Sequence, residues 1–260
     1  MAVLAATDLE HFADRGYVRV PGAFGADRAA AMRDVVWSAL EVDGYRRDDP
    51  ATWTSDPQHL QRLKRNPVFR AVGSDRTLGA IDDLLGVGTW RRPADWGAFF
   101  ILFPSAQPFT AAFASWHADH SFTLPLAPLS ELKVHAMFGD VAPRAGGMHI
   151  LAGSHRVVAA HFARHPPAPG AKAARLRKEL MRSHPYLVDL ETPGDPGARI
   201  ERFMARDEDV DGVPAQVVEL TATAGEVILM HPLMLHARPV NAGRAPRFLL
   251  NKDLYAARDP

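Results

Sequence analysis

Twenty-one prolines and nineteen glycines break this 260-residue chain into short apolar runs, and that punctuation limits the fold more than any other property. Gly97-Ala-Phe-Phe-Ile-Leu-Phe-Pro104, Gln216-Val-Val-Glu-Leu220, Gly225 to Met230, Leu233 to His236 and Arg247 to Asn251 are four to eight residues long, the length of buried strands. Helical spacing gathers toward the N-terminus. Thr7 and Asp8 can cap a helix that Gly16 stops, and Tyr17-Val-Arg-Val-Pro21 then reads as a strand. Ala29, Met32, Val35, Val36 and Ala39 mark a helix over 27–40, and a further helix is expected over 75–85. The polar stretch 43–66 reads as a pocket cover or a connector. Short strands between turns, with helices at one end, predict a mainly β fold with peripheral helices, a double-stranded β-helix of the jelly-roll or cupin type.

A hydrophobic content of 47% over this length is enough for one full core, so residues 1–260 are expected to form a single domain. Between about 156 and 215 the pattern changes to Pro166-Pro-Ala-Pro-Gly170, a basic helix over 171–183 and a Pro/Gly/Asp-rich stretch over 191–198. So long a stretch without structure is unusual in a compact domain, and it is read as a partly helical insertion between two core strands, placed to act as a lid. Its basic helix presents either a solvated face or a contact for an anionic substrate. Thirty basic residues balance thirty acidic ones with no basic stripe, which points away from nucleic acid and membranes and toward a small-molecule substrate. The chain has no cysteine, which removes disulfides, thiolate ligands and cysteine nucleophiles and leaves imidazole and oxygen for any metal. Its start lacks a basic leader and no apolar run reaches eighteen residues, so a cytoplasmic address is expected.

The segment Ser115-Trp-His-Ala-Asp-His-Ser-Phe122 carries His117 and Asp119 two positions apart. On a strand that spacing puts both side chains on one face, within reach of one ion. A third donor, His236, ends an apolar run, and Arg247 follows eleven positions later on the next strand. Two imidazoles and one carboxylate on one face of an ion leave positions open, which suits non-haem ferrous iron that must take up a chelating cosubstrate and dioxygen. His120 falls on the opposite strand face from Asp119, and a structural role is expected for it. Trp96, Trp116, Phe122, Met137 and Met148 are candidates for a pocket lining or for plain core.

At these residues the chain resembles the phytanoyl-CoA dioxygenase family of iron(II)- and 2-oxoglutarate-dependent oxygenases. His11-Phe-Ala-Asp-Arg-Gly-Tyr-Val18 is similar to the family's opening helix-to-strand element. Ala142-Pro-Arg-Ala-Gly-Gly-Met-His-Ile-Leu-Ala-Gly-Ser-His155-Arg156 is similar to its Asn-Gly…Pro-Gly-Ser-His turn, with Gly146 where Asn is usual and Ala152 where Pro is usual. The resemblance implies the double-stranded β-helix again, with iron held by His117, Asp119 and His236. It also implies Arg247, rather than the nearby Arg244, as the anchor for the far carboxylate of 2-oxoglutarate. His231 is left without a metal contact. His135 falls where the family often has a tryptophan facing the cosubstrate, and contact with 2-oxoglutarate is expected there. Lys133 shares its strand face and is either a second partner or a solvated strand end. The implied reaction consumes dioxygen and 2-oxoglutarate, releases succinate and carbon dioxide and hydroxylates an unactivated aliphatic carbon of a natural-product intermediate, amino acid or acyl compound. Desaturation or cyclisation at the same site, or a silent ligand-binding barrel, are the alternatives. Related halogenases lack the carboxylate that Asp119 supplies, so halogenation is disfavoured.

Overall fold

Helical periodicity at the front of the chain becomes α1 (Ala6–Arg15), α2 (Ala26–Val42) and α3 (Asp75–Leu85) in the computed structural model, which describes residues 2–58, 60–119 and 127–256. The Asp8 carboxylate accepts from the Ala5 N–H at the start of α1, and Gly16 ends that helix in the left-handed region at φ 81°. A Cβ there would lie 2.2 Å from Met234 and 2.6 Å from the His155 ring, so only glycine fits. Ser74 caps α3 by accepting from Thr77 N–H.

Among the described residues nine strands form two antiparallel sheets: β1 (Tyr17–Val20), β2 (Ala98–Leu102), β3 (Glu131–Met137), β4 (His149–Ala152), β5 (Glu208–Val210), β6 (Val213–Glu219), β7 (Glu226–Met230), β8 (His236–Ala237) and β9 (Arg247–Tyr255). The first sheet runs β1-β7-β3-β9-β2 and the second β5-β6-β4-β8. Period-two alternation sorts the side chains. Val134, Ala136, Phe248 and Leu250 point outward into a core shared with Met32, Val36 and Ile81 of α2 and α3. Met137, Ile228, Met230 and Leu249 point inward and meet Ile150 of the second sheet in a smaller apolar layer.

The outer face of the second sheet is covered by α4 (Ser154–Arg164), α5 (Ala173–Met181), α6 (Pro185–Leu190) and α7 (Pro196–Met204). Leu176, Leu180, Tyr186, Leu187 and Phe203 pack there on Leu151, Ala215 and Val217. The chain between β4 and β5 thus consists of four helices joined by short connections.

The expectation of a mainly β, double-stranded β-helix barrel is therefore corrected. Among the described residues helix accounts for 35% against 22% for strand, and neither sheet closes on itself. Two features cause the difference. The segment at His117 and Asp119, read as a strand, forms only an isolated bridge at His117, and β8 is two residues long, so the second sheet does not curl round to join the first. The insertion, read as partly helical, contributes four helices and adds to the helical share.

Candidate metal centre

His117 and His236 meet as a bridge in which each backbone N–H donates to the other's carbonyl, at 3.0 and 2.9 Å. Directly paired residues in antiparallel strands project to the same side, and the two rings lie 4.4 Å apart. Each ring is oriented by its own backbone. His117 Nδ1 lies 2.6 Å from the Ser115 carbonyl and His236 Nδ1 3.1 Å from that of Met234. A carbonyl only accepts, so both Nδ1 atoms donate, and each Nε2 faces Asp119, donating to its carboxylate while the ring is protonated and offering a lone pair to an ion once it is not. Ser115 adopts φ 61° to turn its carbonyl toward the ring, a conformation a non-glycine residue holds only under local constraint.

Asp119 Oδ1 stands 3.2 Å from His117 Nε2, and its Oδ2 stands 3.4 Å from His236 Nε2. One donor atom from each of the three lies within 4.8 Å of the others, a group able to hold one ion. Burial on its own would raise the Asp119 carboxyl, but hydrogen bonds from both histidines and the nearby charges of His236 and Lys133 outweigh it and hold the group well below the usual carboxylate range. The hydrogen bond to Asp119 is the main reason His117 is pushed up, against its own partial burial. The strand spacing thus brings His117 and Asp119 to one place, although the backbone there is a single bridge and not a regular strand.

The three residues open onto a cavity of about 350 Å³ that Arg247, Asn251, Met148 and Phe100 also line. Arg247 starts β9 and is 4% exposed. Its guanidinium donates once, to the Gly146 carbonyl at 2.8 Å, while its Nε is buried without a partner. Burial first, and the Arg238 charge second, push it down to about 10, still protonated at neutral pH. His135 lies on β3 opposite Asn251. It is fully buried with neither ring nitrogen bonded, and burial together with the Lys133 charge pushes it well below its ordinary value. A buried imidazole and a buried guanidinium with unused donors are what a bound polar molecule would satisfy.

Among the other sequence candidates, His231 accepts from the Leu233 N–H, packs on the His155 ring and does not share the metal group. Of the apolar candidates Met148 lines the cavity, whereas Trp116 and Met137 are core. His120 and Phe122 lie outside the described residues. Lys133 is 1% exposed, so a solvated strand end is ruled out for it.

Sequence reasoning missed Asn251 and Asp56. Asn251 stands four positions after Arg247, on the same strand face, and a polar residue at that offset in an apolar strand was the available signal. Asp56 accepts from the Phe103 N–H and pairs with Arg238 at the cavity rim. It arrives from an irregular segment, where no periodicity marks it.

The model for the phytanoyl-CoA dioxygenase family matches residues 12–249. No curated protein matches the chain in sequence. Among solved structures, AviO1 from Streptomyces viridochromogenes is 14% identical with a TM-score of 0.53, and the match covers all of both chains. HygX from Streptomyces hygroscopicus, with nickel and 2-oxoglutarate bound, is 17% identical with a TM-score of 0.52 over 98% of this chain and 88% of that one. These likenesses establish a shared fold. Among the described residues no helix is long and apolar enough to cross a membrane. With a family match over most of its length and a two-histidine, one-carboxylate group on a cavity, the chain belongs to the phytanoyl-CoA dioxygenase family of iron(II)- and 2-oxoglutarate-dependent oxygenases.

Proposed function

We propose that this protein is a dioxygenase that hydroxylates an unactivated aliphatic carbon of a small molecule, with His117, Asp119 and His236 as the ligands of one ferrous ion. The observation that carries the proposal is a metal-competent group on the same cavity as a buried arginine with unused hydrogen-bonding capacity. Iron with 2-oxoglutarate supplies the oxidising chemistry, coupling dioxygen reduction and loss of carbon dioxide to oxygen transfer, with succinate as co-product.

The residues of the chain have separate tasks. His117 and His236 present Nε2 because their Nδ1 protons are tied to backbone carbonyls. Arg247 offers a planar, permanently charged fork to the far carboxylate of 2-oxoglutarate, and Asn251 on the same wall, with His135 buried beside it on β3, is the proposed neutral polar partner. Phe100, Ile101 and Met148 give the cavity apolar surface, which excludes water and suits the aliphatic part of a substrate. We read residues 1–260 as one domain, with the segment at about 156–215 as a helical insertion.

The test is succinate formation from 2-oxoglutarate under air, combined with anaerobic iron titration. Replacing His117, Asp119 or His236 with Ala is expected to abolish turnover and stoichiometric iron binding, while His231→Ala keeps both. Full-strength iron binding by His236→Ala would overturn the ligand set. Product analysis with candidate substrates separates hydroxylation from desaturation or cyclisation.

A further inference from the structure

Lys133 lies beside the metal group but has no part in the reading above. It sits in the middle strand of the first sheet, in register with Met230 on β7 and Asp253 on β9, and is 1% exposed. Burying an ammonium is strongly unfavourable unless anions and acceptors surround it. Here they do. Its Nζ stands 2.9 Å from Asp253 Oδ1 and 3.4 Å from Asn251 Oδ1, and it makes a close ion pair with Asp119 Oδ2.

The two oxygens of Asp119 are therefore unequal. Oδ2 carries the ammonium and has His236 Nε2 at 3.4 Å, whereas Oδ1 faces His117 Nε2 and, among the described residues, no ammonium or guanidinium. A carboxylate free on both sides can chelate an ion with both oxygens and so fill an extra coordination position. One whose second oxygen is tied to a buried, doubly anchored lysine offers a single oxygen. We propose that Lys133 is a positioning residue that confines Asp119 to one-oxygen ligation and thereby keeps a coordination position open for the cosubstrate. This rests on the assignment of Asp119 as a metal ligand.

The arrangement also balances charge. The ammonium is matched by Asp253 independently of the ion. Asp119 and Arg247 are then left to match the ion and a dianionic cosubstrate. A neutral donor at position 133 would hold Oδ2 more weakly, and a methyl-ended side chain would not hold it at all.

The test uses the full chain loaded anaerobically with cobalt(II), comparing wild type, Lys133→Met, Lys133→Gln and Asp253→Asn. Infrared difference spectra of loaded minus metal-free protein read the gap between the antisymmetric and symmetric carboxylate stretches, which is wide for one-oxygen ligation and narrow for chelation. Wild type is expected to show the wide gap. Lys133→Met should show the narrow one and bind 2-oxoglutarate roughly ten- to a hundredfold more weakly, the loss typical of a charge-assisted contact. Lys133→Gln should keep the wide gap with a loss under about tenfold. Asp253→Asn leaves the ammonium on Asp119 and should keep it too. A wide gap and undiminished 2-oxoglutarate affinity in Lys133→Met would overturn the positioning role while leaving the metal centre intact. If Lys133→Met does not fold, a narrow gap in Asp253→Asn, or in Lys133→Gln with undiminished affinity, decides against it. Wild type that takes up no divalent ion would overturn the metal centre and this role together.

Discussion

Two arginines are buried among the described residues, and their surroundings differ in a way that separates structure from function. Arg199 on α7 is 5% exposed and Arg247 on β9 is 4% exposed. Arg199 is saturated: it donates to the carbonyls of Ala111, Ala112, Asp189, Leu190 and Thr192, and its guanidinium lies 4.8 Å over the Phe203 ring. Arg247 has one carbonyl partner and an idle Nε, on the wall of the metal cavity. Equal burial therefore carries no functional information by itself. The count of unused donors does, because a buried donor without an acceptor is costly and a natural protein retains one where a ligand completes it.

The partners of Arg199 explain what the insertion does for the site. Asp189, Leu190 and Thr192 lie at the end of α6, while Ala111 and Ala112 lead into the His117 segment. Arg177 on α5 adds a bond to the Trp116 carbonyl and pairs with Glu191. The insertion is thus stitched to the backbone that carries two of the three proposed ligands.

The largest expected effect is on Arg199. Arg199→Met leaves several buried carbonyls without donors and should lower unfolding free energy by about 3–5 kcal/mol, read from the denaturant midpoint. A loss under about 1 kcal/mol would mean that the stitch is not structural and would collapse the contrast.

Next is His149, whose Nδ1 accepts from the Ala112 N–H in the same stitched segment. Burial pushes it down to about 4, so it is neutral in the folded protein and protonates more readily when unfolded. The stability it contributes is complete above about pH 6.5 and drains away as pH falls toward 4, by up to about 3 kcal/mol. His155, also pushed down to about 4, works in the same direction. His149→Gln should flatten part of the pH dependence in this window, and an unchanged slope would remove His149 as its source.

Arg247→Met inverts the Arg199 result. It should weaken 2-oxoglutarate binding by about 1.5–3 kcal/mol, roughly ten- to a hundred-and-fiftyfold, with stability unchanged or slightly raised because a desolvated charge is removed. Arg244→Ala, by contrast, should leave binding within a factor of about two. The opposite ranking by calorimetric titration would transfer the anchor to Arg244.

The smallest effect concerns amide exchange in α5 to α7. A lid gains protection when iron and 2-oxoglutarate bind, whereas a stitched scaffold is protected equally in both states. The arginine contacts predict a small change, and a large one would identify the segment as a lid.

Much of the centre was legible because it follows from local rules. The spacing of His117 and Asp119, the apolar run before His236 and the strand opening at Arg247 are all properties of a few consecutive residues. Lys133 was not legible, since a lysine on a strand is ordinarily solvated. Only pairing with β9 supplies the Asp253 and Asn251 partners that let it stay dry. The barrel expectation failed for a related reason. Apolar runs specify strands, but closure depends on how long paired edges run, and the edge at His117 shrinks to one bridge. The insertion was read as partly helical, with its prolines as breaks. At Pro185 and Pro196 they open α6 and α7 instead, where the missing N–H is harmless.

The His117–His236 bridge joins two stretches that lie on opposite sides of the whole insertion in sequence. Contacts so distant along the chain form after local ones, since the entropy of closing the intervening loop must be met first. During synthesis, His117 and Asp119 emerge long before the residue that completes the group. A nascent chain therefore carries only a two-donor fragment, too weak to retain a stray transition metal. On the proposed ligand set, metal uptake would wait until His236 is made and paired with His117, so metal occupancy would report on folding across the insertion.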